Sequence, residues 1–163
     1  MPTNQQVADF HRDGYVLIPA VFDRDEMAGL LRYSKGDRAL GAEAKTRQDA
    51  SGGESRLAVR NELDEDSMYT AIACSRRVAD PMEAFLGSEI YHYHHKMMLK
   101  EPRVGGAWEW HQDYGYWYNF GCLYPDMGSA LLAVDRANRD NGCLQVLRGS
   151  HKMGRIDHGK AGQ

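Results

Sequence analysis

Helix-like patterns dominate this sequence before Gly87, and strand-like patterns dominate it after Gly87. Before Gly87, hydrophobic residues recur at helical spacing behind recognisable helix start signals. After it, the stretch "EIYHYHHKMMLK" alternates with a period of two, as a strand does. Helices followed by strands are typical of α+β architecture. We therefore predict one α+β domain over residues 1–163, mainly helical over 1–87, with an antiparallel sandwich or barrel over 88–163.

The first third of the chain carries clear start and stop signals. Residues 4–12 predict a short helix, and "GYVLIPAVF" after it predicts a strand, because β-branched and aromatic residues dominate it. Asp23 and Glu26 have the spacing of a capping box. A second helix is therefore expected from Asp23 to about Tyr33.

The middle of the chain predicts a loop followed by a helical region. Residues 34–55 are polar and punctuated by glycine, which indicates a long mobile loop of the kind that often forms a lid. Residues 67–86 have a helical pattern that we expect to be interrupted near Pro81 and closed by Gly87 as the C-cap.

Strand-like alternation marks the region after Gly87. The odd-numbered residues of "EIYHYHHKMMLK" form a largely apolar face, which we expect to pack on the core, whereas the even-numbered face is rich in histidine and lysine. Residues 129–134 and 142–147 predict further strands, joined by the turn-like "DRANRDN".

The composition excludes several functional classes. With 42% hydrophobic and 26% charged residues, the 163-residue chain is typical of one folded soluble domain. A formal charge of −3 gives no basic surface for nucleic acid or an anionic membrane, and no apolar run has transmembrane length. No secretory signal is visible, and the three cysteines form no Cys-x-x-Cys pair. These features indicate a protein of the reducing cytoplasm.

A candidate metal-binding pair lies within "WEWHQDYGYW". In an extended segment, His111 and Asp113 project from the same face, so an imidazole nitrogen and a carboxylate oxygen could take adjacent sites on one divalent ion. These ligands favour iron, manganese or zinc, and a third ligand would complete a facial triad with open positions. The tripeptide alone also occurs often by chance, so two polar residues on an aromatic-rich strand are the alternative at this point.

Several motifs occur around this pair in a consistent order. "KEP" precedes "WHQD" and a following "YW", and "NGCLQVLRGSHK" comes later in the chain. Together with the N-terminal "GYVLIPAVFDRDE", these motifs resemble the phytanoyl-CoA dioxygenase-like oxygenases, which use non-haem iron and 2-oxoglutarate. The resemblance covers nearly the whole chain. It implies helices packed on a double-stranded β-helix (jelly-roll, cupin-like) core, of which residues 88–163 would form the first part.

The resemblance also implies roles for individual residues. His111 and Asp113 match the first two iron ligands, and Lys100 matches a lysine that holds a carboxylate of 2-oxoglutarate. Three further residues match positions that line the substrate side of the site, namely His94, Tyr116 and Trp117. Related halogenases have a small residue in place of the aspartate, so Asp113 points to hydroxylation.

The implied activity is the hydroxylation of a small organic substrate with dioxygen. Iron(II) would be the cofactor and 2-oxoglutarate the cosubstrate, released as succinate and carbon dioxide, with ascorbate as an optional reductant. No nucleic acid or membrane partner is expected. The resemblance does not identify the substrate.

The chain departs from the family pattern in two places. The family's third iron ligand, a histidine, and the arginine that clamps 2-oxoglutarate would both lie beyond Gln163, as would the last strands of the β-helix. We therefore expect an incomplete chain. In addition, Arg148 stands where the family has proline.

Other histidines offer alternatives. His151 or His158 could stand in as the third ligand, although such histidines are usually solvated. The cluster of His92, His94 and His95 could form a second metal site, against the alternative that His95 is an interior histidine and the others line the cavity.

Two other functional classes fit parts of the sequence. A non-catalytic remnant or cupin-like binding module would account for the missing third ligand. A zinc hydrolase could use the His-x-Asp pair, but the sequence lacks a second ligand cluster such as His-x-x-x-His.

Overall fold

The computed structural model of the chain describes residues 1–49, 52–100, 103 and 106–157. Nine elements of regular structure longer than one turn follow one another in these ranges: α1 (Asn4–Asp13), α2 (Arg24–Gly36), α3 (Arg38–Glu43), β1 (Lys45–Gln48), β2 (Glu54–Arg60), α4 (Met68–Ala73), α5 (Arg76–Leu86), β3 (His95–Leu99) and α6 (Asp113–Tyr118). Two single 3₁₀ turns, Arg139–Asn141 and Ser150–Lys152, come after them.

The strands form one antiparallel sheet in the order β1-β2-β3. Leu57 of the central strand β2 pairs with Lys45 of β1 on one side and with Met98 of β3 on the other, which defines the register of the sheet. The described residues therefore confirm the mixed α+β architecture, with a small three-stranded sheet. Among the described helices, none is long and apolar enough to cross a bilayer.

Side-chain caps define the first two helices as the sequence predicts. Thr3 begins α1 through a capping box with Gln6, and Gly14 ends it in the left-handed conformation at φ 83°. Asp23 begins α2 by accepting from the backbone N–H groups of Asp25 and Glu26.

The buried core sits where the first helices cover the sheet. Leu30 of α2, Leu40 of α3, Ala58 of β2 and Tyr69 of α4 form one cluster, in which Leu40, at 2% exposure, is the most buried of the large side chains. Met97 and Leu99 of β3 pack against it from the odd-numbered face of that strand. The predicted apolar face is thus confirmed within β3.

The prediction of a long loop over residues 34–55 is wrong. This region contains the end of α2, all of α3 and β1 and the start of β2, while residues 50 and 51 lie outside the described part. Asp37 begins α3 by accepting from the N–H of Leu40 at 3.0 Å. The polar composition misled the prediction because all four side chains of β1 are exposed, so the strand has no alternating pattern.

The predicted helix over 67–86 is two helices, and the break does not fall at Pro81. The break lies at residues 74 and 75, between α4 and α5. Ser75 is the N-cap of α5, and its side chain accepts from the N–H of Arg77. Pro81 lies inside α5, and Gly87 closes this helix with φ 73°, as predicted.

Three predicted strands are not strands among the described residues. The segments 14–22, 129–134 and 142–147 have no ladder partner, although their composition is strand-like. Leu17 and Leu131 are 84% and 65% exposed. Strand propensity reflects packing on a pleated, half-buried surface, and these segments have no such surface beside them.

The strand predicted from residue 89 onward begins only at His95. Before this point the predicted apolar face is wrong, because Tyr91 and Tyr93 are both exposed.

Candidate metal centre

A backbone clamp holds the segment that leads into His111. The carboxylate of Asp49 accepts from the N–H of Gly53 at 2.7 Å and from the N–H of Ala107 at 2.8 Å, and Gly106 donates to the carbonyl of Glu54 at 2.8 Å. A Cβ at Gly106 would lie within 2.4 Å of the Gly53 carbonyl oxygen, so this approach requires glycine. The β1–β2 hairpin therefore positions residues 106 and 107.

Aromatic contacts carry this positioning on to the histidine. The guanidinium carbon of Arg47, on β1, lies 5.1 Å from the ring centroid of Trp108. The Trp108 ring lies 6.1 Å, centroid to centroid, from the ring of His111. His111 is thus linked to the sheet through Trp108.

The structure places His111 and Asp113 side by side. His111 Nε2 lies 3.3 Å from Asp113 Oδ1, and His111 Nδ1 lies 2.7 Å from the carbonyl oxygen of Glu109. Because a carbonyl only accepts, Nδ1 carries the hydrogen and Nε2 is directed to the carboxylate. Asp113 is the first residue of α6 rather than part of a strand, so the predicted extended backbone is wrong. The two side chains nevertheless lie close together, as expected, and their role as metal ligands stays a prediction.

Each member of the pair changes the titration of the other. The hydrogen bond with Asp113 raises the pKa of His111, and the same bond is the main cause that lowers the pKa of Asp113. When Nε2 is protonated, the two groups form an ion pair. When it is not, a lone pair faces a carboxylate oxygen, an arrangement that a bound cation would stabilise.

The donor set fits a divalent metal ion. Two ligands at right angles on an ion, each about 2.1 Å away, are ~3 Å apart, close to the separation found here. One imidazole nitrogen and one carboxylate oxygen suit iron, manganese or zinc. Within the described ranges, no group of three His, Cys, Asp or Glu side chains is close enough together to hold an ion. The described site therefore offers two protein ligands.

The three residues predicted to face the substrate gather next to the pair. Trp117 lies one helical turn after Asp113, on the same face of α6. Its ring lies 5.1 Å from the ring of His94 and 4.9 Å from the ring of Tyr116. Burial lowers the pKa of His94, which favours the neutral imidazole. Tyr93 also packs edge-on against Trp117 at 5.0 Å.

The charge of Lys96 acts on both members of the pair, and the sequence predicted no role for this residue. Its ammonium lies 5.5 Å from the centroid of Trp117. The hydrogen bond with His111 lowers the pKa of Asp113 most, and the positive charge of Lys96 lowers it further. The same charge opposes the rise in the pKa of His111. The period-two pattern, which puts Lys96 on one face with His94 and Lys100, was the signal that could have identified it.

Lys100 follows directly after β3 and binds the turn at Gly142. Its Nζ donates to the Gly142 carbonyl at 3.0 Å. Asn141 and Gly142 form a turn, as predicted, with Gly142 at φ 76°, although no described strands flank it.

The structure places His151 away from the metal pair. His151 Nε2 lies 3.0 Å from the carbonyl oxygen of His11, and a Cβ on Gly14 would lie 2.3 Å from the His151 ring. His151 therefore packs on the end of α1 and is not brought to Asp113. His158 lies outside the described residues.

The histidine cluster after Gly87 separates into different environments. His95 Nδ1 lies 3.2 Å from His92 Nε2, and burial, followed by His92, lowers the pKa of His95. His94 instead contacts Trp117. The described residues supply no third ligand for a second metal site here.

An ion pair gives Arg148 a structural role. Arg148 Nε donates to Asp13 Oδ1 at 2.7 Å, and the N–H of Gly149 donates to the Asp13 carbonyl at 2.7 Å. Arg12, and to a smaller extent Arg148, lower the pKa of Asp13 to about 2. The residue that replaces the family's proline thus ties its loop to α1.

We expect Asp13→Asn to destabilise the protein at neutral pH, because the uncharged amide cannot pair with the two arginines. Since the folded-state pKa of Asp13 is lowered, the contribution of its charge is complete above the ordinary value of 3.8 and is lost as the pH falls toward 2. Urea unfolding of both proteins between pH 7 and pH 2 should show a difference that closes on acidification. Asp126→Asn is the matched control, and an equal loss in that variant would contradict the assignment.

Comparison with protein families identifies the chain. Residues 10–162 match the phytanoyl-CoA dioxygenase (PhyH) family, so the chain belongs to this family.

Curated relatives share about a quarter of their aligned residues with it. The ectoine dioxygenase of Stutzerimonas stutzeri is 28% identical over 155 residues, which is 90% of this chain and 49% of that protein. The L-proline trans-4-hydroxylase of Streptomyces griseoviridis is 28% identical over 91% of this chain and 55% of its own length. A Stutzerimonas stutzeri protein named "Probable alpha-ketoglutarate-dependent hypophosphite dioxygenase" is 26% identical over 94% and 55%. The chain therefore spans about half the length of these relatives, and no solved structure gives a significant match.

Proposed function

We propose that this chain belongs to an iron(II)- and 2-oxoglutarate-dependent dioxygenase that hydroxylates a small organic substrate, with release of succinate and carbon dioxide. The observation that carries the proposal is the 3.3 Å separation of His111 Nε2 and Asp113 Oδ1, in a chain of the PhyH family. The relatives named for ectoine, L-proline and hypophosphite support the same reaction class.

In this proposal, His111 and Asp113 hold the iron. The Glu109 carbonyl keeps the hydrogen on His111 Nδ1, so that Nε2 is the ligand atom. When bound, iron and 2-oxoglutarate supply the oxidising chemistry that couples decarboxylation to hydroxylation. Asp113 provides the negative charge that balances the cation.

Lys100 is proposed to bind a carboxylate of 2-oxoglutarate. An ammonium has three N–H donors, and the bond to Gly142 uses one of them. The Gly142 carbonyl thereby holds Nζ in place while the remaining donors can bind an anion.

Replacing Lys100 by methionine should weaken 2-oxoglutarate binding about tenfold or more, because a charge-assisted hydrogen bond is lost. Isothermal titration of the iron-loaded protein with 2-oxoglutarate in the absence of oxygen measures this. Lys96→Met, within the preceding strand β3, is the matched comparison. A loss confined to Lys96→Met would move the role from Lys100 to Lys96.

The substrate side is proposed to be the wall formed by His94, Tyr116 and Trp117. These rings meet beside Asp113, and Lys96 adds a positive charge over Trp117. An apolar wall with one neutral imidazole and one cation suits a small polar molecule that carries an anionic group. The names of the three relatives, each referring to a small polar molecule, support this size class.

We further propose that the active protein has the length of its relatives and that its core is a double-stranded β-helix. The exposed apolar side chains of segments 129–134 and 142–147 support this, since Leu131, Leu144 and Leu147 are all more than half exposed. Pairing with later strands would bury them. The third iron ligand and the arginine clamp would come from the same additional sequence. A cytoplasmic location is proposed because the three cysteines are free.

The second candidate is a non-catalytic binding module, which the two-ligand site of the described residues favours. Reading the coding sequence past the codon for Gln163 distinguishes the two. An in-frame continuation with a histidine followed by an arginine supports the dioxygenase. The decisive assay is succinate formation from 2-oxoglutarate by that protein with iron(II), and its absence would refute the proposal.

A further inference from the structure

Gln112, the residue between the two candidate metal ligands, is bound to a distant segment of the chain. Its Nε2 donates to the carbonyl of Gly154 at 2.9 Å, and its Oε1 accepts from the N–H of Ile156 at 2.8 Å. The amide thus binds the carbonyl of one residue and the N–H of the residue two positions later. Paired donor and acceptor bonds of this kind occur in a strand ladder, where a backbone peptide supplies them.

A second contact holds the same segment against α6. The guanidinium carbon of Arg155 lies 4.4 Å from the ring centroid of Tyr118. Gln112 is also the N-cap residue of α6 but makes no side-chain cap bond there. Segment 154–156 is therefore attached at both ends of the helix that begins with Asp113.

We propose that Gln112 is a positioning residue of the metal centre. By binding segment 154–156, it fixes the backbone on which His111 and Asp113 are carried. This inference rests on the proposed function, in which the pair binds a metal ion. Partners that orient metal ligands typically change metal affinity 10–100-fold when lost.

Two variants separate the hydrogen bonds from the shape of the side chain. Gln112→Met has a similar size and neither donates nor accepts effectively. Gln112→Glu keeps an acceptor for the Ile156 N–H and loses the donor to Gly154. Gln5→Met is the matched control, because the Gln5 amide donates to Asp9 within α1, which the metal centre does not use.

Two measurements follow each variant. Limited digestion with trypsin, followed by mass spectrometry, gives the rate of cleavage after Arg155. Titration with Mn(II), followed by electron paramagnetic resonance, gives the metal affinity without any turnover. We expect Gln112→Met to speed cleavage after Arg155 about tenfold and to weaken Mn(II) binding about tenfold, since both hydrogen bonds to segment 154–156 are lost. Gln112→Glu should lie between it and the wild type, and Gln5→Met should change neither quantity.

Each of the other possible results would contradict a specific part of the proposal for Gln112. Faster cleavage with unchanged Mn(II) affinity would show a tether without a positioning role. Unchanged cleavage in Gln112→Met would show that the amide does not hold the segment. Absence of Mn(II) binding by the wild type would refute the metal centre itself and the positioning role with it, and so differs from a failure of Gln112 alone.

Discussion

Replacing Asp113 by alanine is expected to lower the iron(II) affinity of the protein by at least about a hundredfold, more than the loss of an outer partner causes. The substitution removes one of the two proposed ligands and the negative charge proposed to balance the cation. It leaves His111 with its bond to the Glu109 carbonyl. Anaerobic equilibrium dialysis against iron(II) measures the change.

The matched control for this prediction is Asp126→Ala, which removes an exposed carboxylate elsewhere in the chain. It should bind iron(II) as the wild type does. Equal affinities of the wild type and Asp113→Ala would contradict the assignment of the ligand. In a protein that has the full length of its relatives, succinate formation should fall together with the iron(II) affinity.

Replacing Leu40 by alanine should reduce the free energy of unfolding by about 3 kcal/mol, as is typical for a buried leucine. Leu40 is 2% exposed and packs among residues of α2, β2 and α4, so its truncation leaves a cavity that these elements cannot easily fill. Urea unfolding followed by circular dichroism measures the change.

Leu17→Ala is the control for the core, because Leu17 is 84% exposed and its truncation should cost less than about 0.5 kcal/mol. A change of that small size in Leu40→Ala would show that α3 is not part of the core. The result therefore tests the element that the sequence misassigned as a loop.

Local signals predicted a helix boundary wherever a capping residue begins or ends the helix. The Asp23 and Glu26 capping box and the Gly87 C-cap act within a few residues, so the sequence contains them in full. Helix α3 was missed because its cap, Asp37, lies in a polar stretch and a single leucine supplies its buried contact.

Strands were harder because a strand needs a partner that the local sequence does not specify. The segments 129–134 and 142–147 have strand-like composition, yet among the described residues they have no neighbouring strand. Strand β1 is the opposite case: it has a partner strand, β2, but no alternation of buried and exposed residues, because all its side chains are exposed.

The sequence predicted those residues of the candidate site that belong to recognisable motifs. The His-x-Asp spacing identified the pair, and the structure places the two side chains together although Asp113 begins a helix. The roles of Lys96 and Gln112 depend on contacts with Trp117 and with residues 154–156. Neither contact could be read from spacing, because each joins segments far apart in the chain.

We propose that His111 and Asp113 bind one divalent ion. Crystals of the protein grown with Mn(II) allow the ion to be located by its anomalous scattering. We expect a single site with the ion about 2.0–2.3 Å from both His111 Nε2 and an Asp113 carboxylate oxygen. An ion bound elsewhere, for example between His92 and His95, with none at this pair, would contradict it.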